Sequence, residues 1–430
     1  MEQKITETTR TETKSGSETG KPAKHKIEFT EYQVFVIVML ALIQFTVVLD
    51  FMIISPIGDI LKKSLRIDNL QFGAVVSAYA ISAALSGILA AGFADKYDRK
   101  KLLLFFYVGF VLGTLFCGLS DSYYTLFIAR IVTGIFGGVI SSIGMAIITD
   151  LFSPQERGRV MGFVQMAFAA SQVLGVPAGI EIANHLNWNA TFIMIVGLAL
   201  VIGVLFALRF KPVTGHLKLQ KEGNAFIHLW KTIKKRNYRI GFLAISMLSM
   251  GGFMLMPFTA AFLINNVKIP KDKLSLIFLC TGLASIVVMP LVGRLSDKID
   301  RLKLFTVGSL LAMVMILVYT NLGPSPVWQV VVVNIVLFVG IMSRMVPATA
   351  MNTGIPEMAD RGAYMSISAS LQQMAGGLAA IIGGKVLIQP SEESPYENFY
   401  VLGWIMSVLI LLGIYLMYRV KQITKPKTAH

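Results

Sequence analysis

Charged residues and cysteine are both scarce in this sequence of 430 residues. Charged side chains make up 15% of it, whereas soluble domains carry about 25%, and this shortage excludes an ordinary soluble protein. Its two cysteines, Cys117 and Cys280, fall inside apolar runs, which favours small buried residues over a disulfide or a metal site. The five histidines are scattered and no phosphate loop or nucleophile motif occurs, so an enzyme is not expected.

Apolar residues make up 55% of the chain and fall into twelve long runs. A helix needs about 20 apolar residues to span a bilayer, and in lipid only a helix satisfies its own backbone hydrogen bonds within one segment. Strands of a membrane barrel would be about 10 residues long and would alternate in polarity. We therefore predict an all-α membrane protein with twelve transmembrane helices, at about residues 32–56, 71–93, 102–119, 123–148, 158–183, 190–210, 240–264, 274–293, 303–322, 327–350, 363–388 and 399–418.

The basic residues predict the orientation. Alternate loops on one side carry 30 of the 39 Lys and Arg residues, and the loops on the other side carry six. Because Lys and Arg collect in loops that stay in the cytoplasm, both termini are predicted to be cytoplasmic. We expect a multi-pass protein of the plasma membrane, the inner membrane of a bacterium. The net charge of +15 could indicate a nucleic-acid partner, but the basic residues are dispersed among the loops, so the expected partner is the lipid bilayer.

The runs divide the chain into five regions. Residues 1–30 are polar, carry no signal peptide and are predicted to be a disordered cytoplasmic tail. The other predicted regions are an N-terminal six-helix bundle at 31–210, a cytoplasmic linker at 211–239, a C-terminal six-helix bundle at 240–419 and a cytoplasmic tail at 420–430. The linker holds an amphipathic basic stretch, which favours a position on anionic lipid; a protein-docking site is the alternative.

Two loops recur in corresponding places of the two halves. Residues 94–99 and 296–301 share Asp, Lys, Asp and Arg at four of six positions, and an Arg-Gly pair follows the fourth and the tenth run. This repeat predicts two six-helix bundles related by a pseudo-twofold axis along the membrane normal. Transporters of that plan hold their substrate near the midplane and alternate access by rocking one half against the other.

Several motifs resemble those of the major facilitator superfamily over about residues 30–420. Asp95, Lys96, Arg99 and Lys100 match its signature loop after the second span, and the second copy keeps Gly293, Leu295, Asp297 and Arg301. Ala91 and Asp98 depart from the signature, because glycines are usual there. Further matches are Arg130 with Gly134, the sequence GVPAG at 175–179 and WNATF at 188–192.

The resemblance implies a transporter. Gly175, Pro177 and Gly179 are similar to a motif of antiporters in the drug and arabinose-efflux branches. The expected function is therefore proton-coupled efflux of small organic molecules by a monomer, with no cofactor and with the proton gradient as the energy source. An uptake symporter or facilitator for a sugar or another nutrient is the first alternative. A receptor or scaffold that transports nothing is the second.

Asp50 and Arg130 are predicted to lie inside the bilayer, in the first and fourth spans. An ionised carboxylate there needs a cavity, a partner or a proton. A movable Arg beside an Asp changes the proton affinity of that Asp, so we predict that Asp50 carries the proton and that Arg130 modulates it. A structural ion pair that joins the two spans is the alternative.

Polar residues in otherwise apolar spans are candidates for the substrate cavity: Gln44, Tyr79, Gln165, Gln172, Arg344, Gln372 and Gln373. Hydrogen bonds between helices are the alternative for the glutamines, and Arg344 could instead extend to the membrane surface.

The charged loop residues are predicted to form gates: Asp95, Arg99, Arg157, Asp297, Arg301 and Arg361. The resemblance implies that Asp95 pairs near Arg361, and Asp297 near Arg157, when the cytoplasmic side closes. Gly175 and Gly179 are small residues four apart, which lets helices approach closely, and Pro177 is expected to bend the fifth span.

Overall fold

The computed structural model describes residues 29–90, 96–215, 217, 225–357, 360–391 and 393–424. Throughout those ranges the regular structure is helical. The helices are α1 Glu31–Ile53, α2 Gly58–Leu65, α3 Asn69–Ala90, α4 Arg99–Gly118, α5 Tyr123–Leu151, α6 Pro154–Ala170, α7 Val176–His185, α8 Trp188–Arg209, α9 Ala225–Lys234, α10 Arg236–Phe253, α11 Thr259–Asn265, α12 Lys271–Lys298, α13 Arg301–Thr320, α14 Val327–Asn352, α15 Arg361–Val386 and α16 Phe399–Thr424.

Twelve helical segments of the described chain are long and apolar enough to cross a membrane, as the apolar runs predict. Two of these spans are interrupted. The fifth, Glu156–His185, contains a π-helical turn at Ser171–Gly175 just before Pro177, and the seventh, Arg236–Asn265, contains a 3₁₀ turn at Met256–Phe258. Proline has no N–H for the helical ladder, so a change of helical pitch beside Pro177 and Pro257 accommodates the missing bond.

The two halves repeat each other in detail as well as in outline. Asp98 accepts a hydrogen bond from the backbone N–H of Lys100 at 2.9 Å and so caps α4, while Asp300 accepts one from Lys303 at 3.0 Å and caps α13. A side-chain oxygen at this position satisfies one of the free N–H groups of a helix start. The Asp that replaces the usual glycine of the signature loop is therefore a helix cap in both copies. The predicted fold of two related six-helix bundles is confirmed.

The halves meet along two pairs of spans. The second span packs against the eleventh, and the fifth packs against the eighth. Small residues allow the first contact: the Ser77 hydroxyl donates to the Gly377 carbonyl, and a Cβ on Gly73 would collide with the Ala380 backbone. We call the membrane side that carries residues 211–235 the linker side, and the opposite side the distal side.

The linker is fastened to the C-terminal half on the linker side. Lys235 bonds Asp360 and Glu357, and the Tyr238 hydroxyl donates to Asp360 at 2.9 Å. The hydrogen bond from Lys235 lowers the pKa of Asp360. In α9, Ile227 and Trp230 are exposed while Leu229 is buried, as an amphipathic surface helix requires. Residues 1–28, 218–224 and 425–430 lie outside the described residues, so the predicted tails and region boundaries stay predictions.

The contact between the second and fourth spans leads to a stability prediction. A Cβ on Gly138 would lie 2.6 Å from the Ala83 Cα, and backbone cannot move aside as a side-chain end can. We expect Gly138→Val to lower the free energy of unfolding by about 1–3 kcal/mol, the usual cost of overpacking. Melting of the purified protein in detergent measures this. Gly197→Val is the control, because nothing lies within 4 Å of a Cβ there; equal losses in both variants would contradict the packing argument.

Candidate functional site

A cavity of about 280 Å³ lies between the two halves. The first and fifth spans contribute its N-terminal wall, including Phe51, Phe168 and Gln172, and five spans of the C-terminal half form the remainder. Six aromatic residues and five methionines are among its 25 lining residues, and polar groups such as Asn334 are few. An apolar pocket with sparse polar groups is the usual form of a small-molecule site, and Met and Phe let such a site adapt to different shapes.

Asp50 and Arg130 form an ion pair inside the N-terminal half. Arg130 Nη1 donates to Asp50 Oδ2 at 2.7 Å, and both side chains are 0% exposed. Thr114 donates to the other carboxylate oxygen at 3.1 Å, and the guanidinium lies over the Tyr79 ring at 4.5 Å. Arg130 Nε and Nη2 make no hydrogen bond within the part of the chain that the structure describes. The pair does not line the cavity.

Residues at the equivalent places of the C-terminal half do line the cavity. The two repeated loops are offset by 202 and 204 residues, so the counterparts of Asp50 and Arg130 fall near Gly252 and Asn334, which both belong to the cavity wall. A polar amide and a glycine thus occupy the positions that an ion pair fills in the other half.

The predicted cavity residues separate into distinct environments. Gln172 lines the cavity, and its side-chain oxygen has no partner. Gln44 accepts a hydrogen bond from Ser141 at 3.0 Å within the N-terminal half, and Tyr79 packs under Arg130. Three further glutamines do not line the cavity: Gln165 and Gln373 are exposed and Gln372 is half-buried.

Arg344 is 3% exposed and stands beside Gly251, which belongs to the cavity wall. Its side chain therefore does not extend to the membrane surface in this conformation.

Cross-half hydrogen bonds close the distal side. The Ser55 hydroxyl donates to the Met256 carbonyl, and Ser275 donates to Glu181 at 2.7 Å. Lys62, which is 5% exposed, donates to Asn69 at 2.8 Å in its own half. The same ammonium group donates to Gln389 at 3.0 Å and to Tyr396 at 2.8 Å in the other half. The sequence suggested only an outside loop charge at Lys62, because no pattern along the chain indicates these distant acceptors.

The linker side is more open between the fifth and eighth spans. No atom of the residues that the structure describes lies within 4 Å of a Cβ on Gly158, Gly162 or Gly293. The described chain thus joins the two halves by hydrogen bonds on the distal side and leaves room beside these three glycines on the linker side.

The predicted gate residues occupy this more open side. Arg99 pairs with Asp150 at 3.1 Å inside the N-terminal half, and Arg157 donates to the Thr149 carbonyl at 2.7 Å. Three other predicted gate residues, Asp297, Arg301 and Arg361, are exposed. Asp95 lies outside the described residues. The pairings expected on closure of this side therefore stay predictions.

The 175–179 motif lets the fifth span approach its neighbours closely. A Cβ on Gly175 would meet the Leu49 side chain at 2.6 Å, and one on Gly179 would meet Ile53 at 2.5 Å. Thr191 donates to the Gly179 carbonyl at 3.0 Å. Pro177 follows the π-helical turn at Ser171–Gly175, and the bend expected at Pro177 stays a prediction.

Known proteins share both the sequence pattern and the fold. The family model of the Major Facilitator Superfamily matches residues 40–384 and 241–430. "Uncharacterized MFS-type transporter YbcL" of Bacillus subtilis is 26% identical over 351 residues, which cover 81% of this chain and 87% of that protein. "Probable sugar efflux transporter" of Helicobacter pylori is 26% identical over 275 residues, which cover 64% of this chain and 68% of that protein.

A solved structure shares the fold across nearly the whole chain. The bacterial homologue of the human lysosomal transporter Spinster, in an inward-facing and occupied conformation, superposes with a TM-score of 0.76 at 16% identity. The match covers 94% of this chain and all of that one.

The buried ion pair predicts non-additive stability losses. Asp50→Asn leaves the Arg130 guanidinium buried without a counter-charge, which costs about 3–5 kcal/mol. The double variant Asp50→Asn/Arg130→Met removes the stranded charge as well, so it should lose less than the sum of the two single variants. Unfolding by titration with denaturing detergent measures all three. Lys385→Met is the control, because the Lys385 side chain is exposed. Its loss of unfolding free energy should add to that of Asp50→Asn in the double variant. Additive losses for Asp50→Asn and Arg130→Met would contradict the coupling of the ion pair.

The Lys62 cluster predicts a shift in conformation. Lys62→Met removes the cation that joins Asn69 to Gln389 and Tyr396, so the distal side should open more often. The labelled variant carries a cysteine in place of Met256 and lacks Cys117 and Cys280. A membrane-impermeant maleimide, added from the distal side, should label this cysteine several-fold faster when Lys62 is replaced by Met. Lys63→Met is the control, because Lys63 pairs with Asp59 of its own helix at 3.1 Å. An unchanged rate for Lys62→Met would show that the cluster does not hold the distal side shut.

Proposed function

Because this chain belongs to the Major Facilitator Superfamily, we propose that it exports small organic molecules in exchange for protons, by alternating access. The supporting observation is the cavity between the halves, which are joined on the distal side by cross-half hydrogen bonds. The linker side carries most of the basic loops and is taken as cytoplasmic. The cavity then faces the cytoplasm, from which an exporter collects its substrate. We place the protein in the plasma membrane as a monomer that needs no cofactor.

Asp50 is the proposed proton carrier. Protonation of its carboxylate would remove the ionic attraction to Arg130, which cannot give up its own proton in a protein. The two protonation states of Asp50 therefore favour different arrangements of the first and fourth spans. A ligand shifts a protein between two conformations only if its interaction free energy differs between them. Here the ligand is a proton.

A chain of aromatic contacts connects this ion pair with the cavity. Phe51 follows Asp50 directly and lines the cavity. Its ring lies 5.4 Å from Tyr79, the ring beneath Arg130, and 5.7 Å from Phe253 of the opposite cavity wall. A shift of Arg130 that moved Tyr79 would therefore displace side chains in both walls of the cavity. Energetic coupling between two sites is carried by packed side chains of this kind.

Export is preferred over uptake on two grounds. The 175–179 motif resembles that of antiporters, and one relative carries the name of a sugar efflux transporter. A proton symporter or facilitator that takes up a sugar or another nutrient is the second candidate, because the same fold supports both directions. Saturable inward flux in whole cells would favour it.

Asp50→Asn should abolish proton-driven transport. In everted vesicles energised by respiration, the wild type is expected to accumulate at least one of fluorescein, rhodamine 6G, ethidium and arabinose, and a protonophore should collapse that accumulation. The variant should lose accumulation by tenfold or more, because it has no titratable group at residue 50. Fluorescence and radiolabel uptake provide the measurement.

Asp121→Asn is the matched control, since Asp121 is exposed in a distal loop, and it should transport like the wild type. Protonophore-sensitive accumulation at the normal rate in Asp50→Asn would remove Asp50 from the proposed role. Accumulation that a protonophore leaves intact in the wild type would refute proton coupling itself.

A further inference from the structure

Arg344 in the tenth span is a buried cation without a counter-charge. It is 3% exposed, and it makes no hydrogen bond or ion pair with any residue that the structure describes. Its Nε and Nη2 atoms are both enclosed and without partners. Arg130 differs, because Asp50 neutralises it.

A lone guanidinium at this depth is energetically unfavourable. A charge inside a membrane protein pairs with an opposite charge, with backbone carbonyls or with a polar cavity, and burial without any of these is costly. Arginine cannot escape by losing its proton. Since the described chain supplies no partner, a counter-charge from outside the chain would relieve this cost.

Arg344 does not itself belong to the described lining of the cavity, but it lies directly behind its wall. Residue 344 follows Leu337 by seven positions and Ile341 by three, so all three lie on one helix face, and the other two line the cavity. The guanidinium Nη1 lies 3.6 Å from the place of a Cβ on Gly251, also in the cavity wall. Gly413 borders the other side, 3.9 Å from Nη2. Two glycines therefore leave space beside the charge.

The rest of the cavity indicates what the partner carries besides its charge. Phe253, Phe278 and Phe338 present aromatic surface, and Met342 and Met345 present flexible apolar surface. No carboxylate belongs to the described lining. A cationic ligand would meet a cation and no anion there, whereas an anion attached to an apolar body would satisfy both the aromatic surface and Arg344.

We propose that the cavity binds amphipathic organic anions, with an aromatic or aliphatic body and one carboxylate, sulfonate or phosphate, and that Arg344 is the positioning counter-charge. This assignment rests on the proposed function, because it takes the cavity to be the transport site. The anion could be a free metabolite or drug, or the headgroup of an anionic lipid.

Binding to the purified protein tests the charge preference without any proton gradient. In nanodiscs of neutral phosphatidylcholine, three naphthalene probes of similar size would be titrated: naphthalene-2-sulfonate, 2-naphthol and (2-naphthylmethyl)trimethylammonium. The sulfonate should bind at least about tenfold more tightly than the other two. One hydrogen bond to a charged group contributes enough binding free energy for a difference of this size. Isothermal titration and the shift in melting temperature provide the two measurements.

Variants at one position assign the preference to Arg344. Arg344→Gln should weaken sulfonate binding about tenfold or more and leave 2-naphthol binding unchanged, while Arg344→Lys should keep part of the preference. Lys385→Gln is the control, because Lys385 is exposed at the distal end of the eleventh span. Adding phosphatidylglycerol to the nanodiscs separates the sources: competition with the sulfonate would identify a lipid headgroup, and its absence a free anion.

Two results would overturn the assignment: a wild type without preference for the sulfonate, or a folded Arg344→Gln with undiminished sulfonate affinity. If Arg344→Gln does not fold, the wild-type preference and Arg344→Lys decide. The proposed export can fail without this assignment. Transport that a protonophore does not reduce would refute proton-coupled export, and the preference of the cavity for the sulfonate would remain.

Discussion

A charge buried among the membrane spans of this protein is far from bulk water, so it needs an opposite charge or polar partners. Lipid and packed helices surround the membrane spans, and the basic residues accordingly lie mostly in loops. Asp50 and Arg130 satisfy the requirement inside one half, whereas Arg344 does not satisfy it within the described chain. We propose the first arrangement as the site of a proton and the second as the site of an anion.

The two halves have diverged around the same repeat. Asp98 and Asp300 still cap equivalent helices, so the scaffold has kept its symmetry. The interior has not: the N-terminal half holds a closed ion pair, and the C-terminal half has Gly252 and Asn334 at the aligned places of the cavity wall. The buried ion pair and the cavity are thus separate, and Phe51 lies between them, in ring contact with Tyr79 and Phe253.

The sequence predicts features that depend on one helix at a time. Span number, the side that carries the basic loops and the depth of Asp50 follow from runs of apolar residues, because lipid acts on each helix separately. Features that depend on two helices were missed or only partly found. Gln165 and Gln172 share a face by spacing, yet Gln172 alone lines the cavity, and Lys62 meets acceptors more than 300 residues away along the chain. Helix rotation and the approach of the halves decide these contacts, and no single-span pattern encodes them.

Proton exchange and anion binding together have an electrical consequence. Export of a monovalent anion in exchange for one inward proton moves two positive charges toward the cytoplasm. A membrane potential that is negative inside then assists each cycle, by about 2.3 kcal/mol per charge at 100 mV, in addition to the pH gradient. A cation exchanged for a proton would gain nothing from the potential. A lone arginine near the cavity and a protonatable aspartate in the other half would thus let both components of the proton-motive force act on the same cargo.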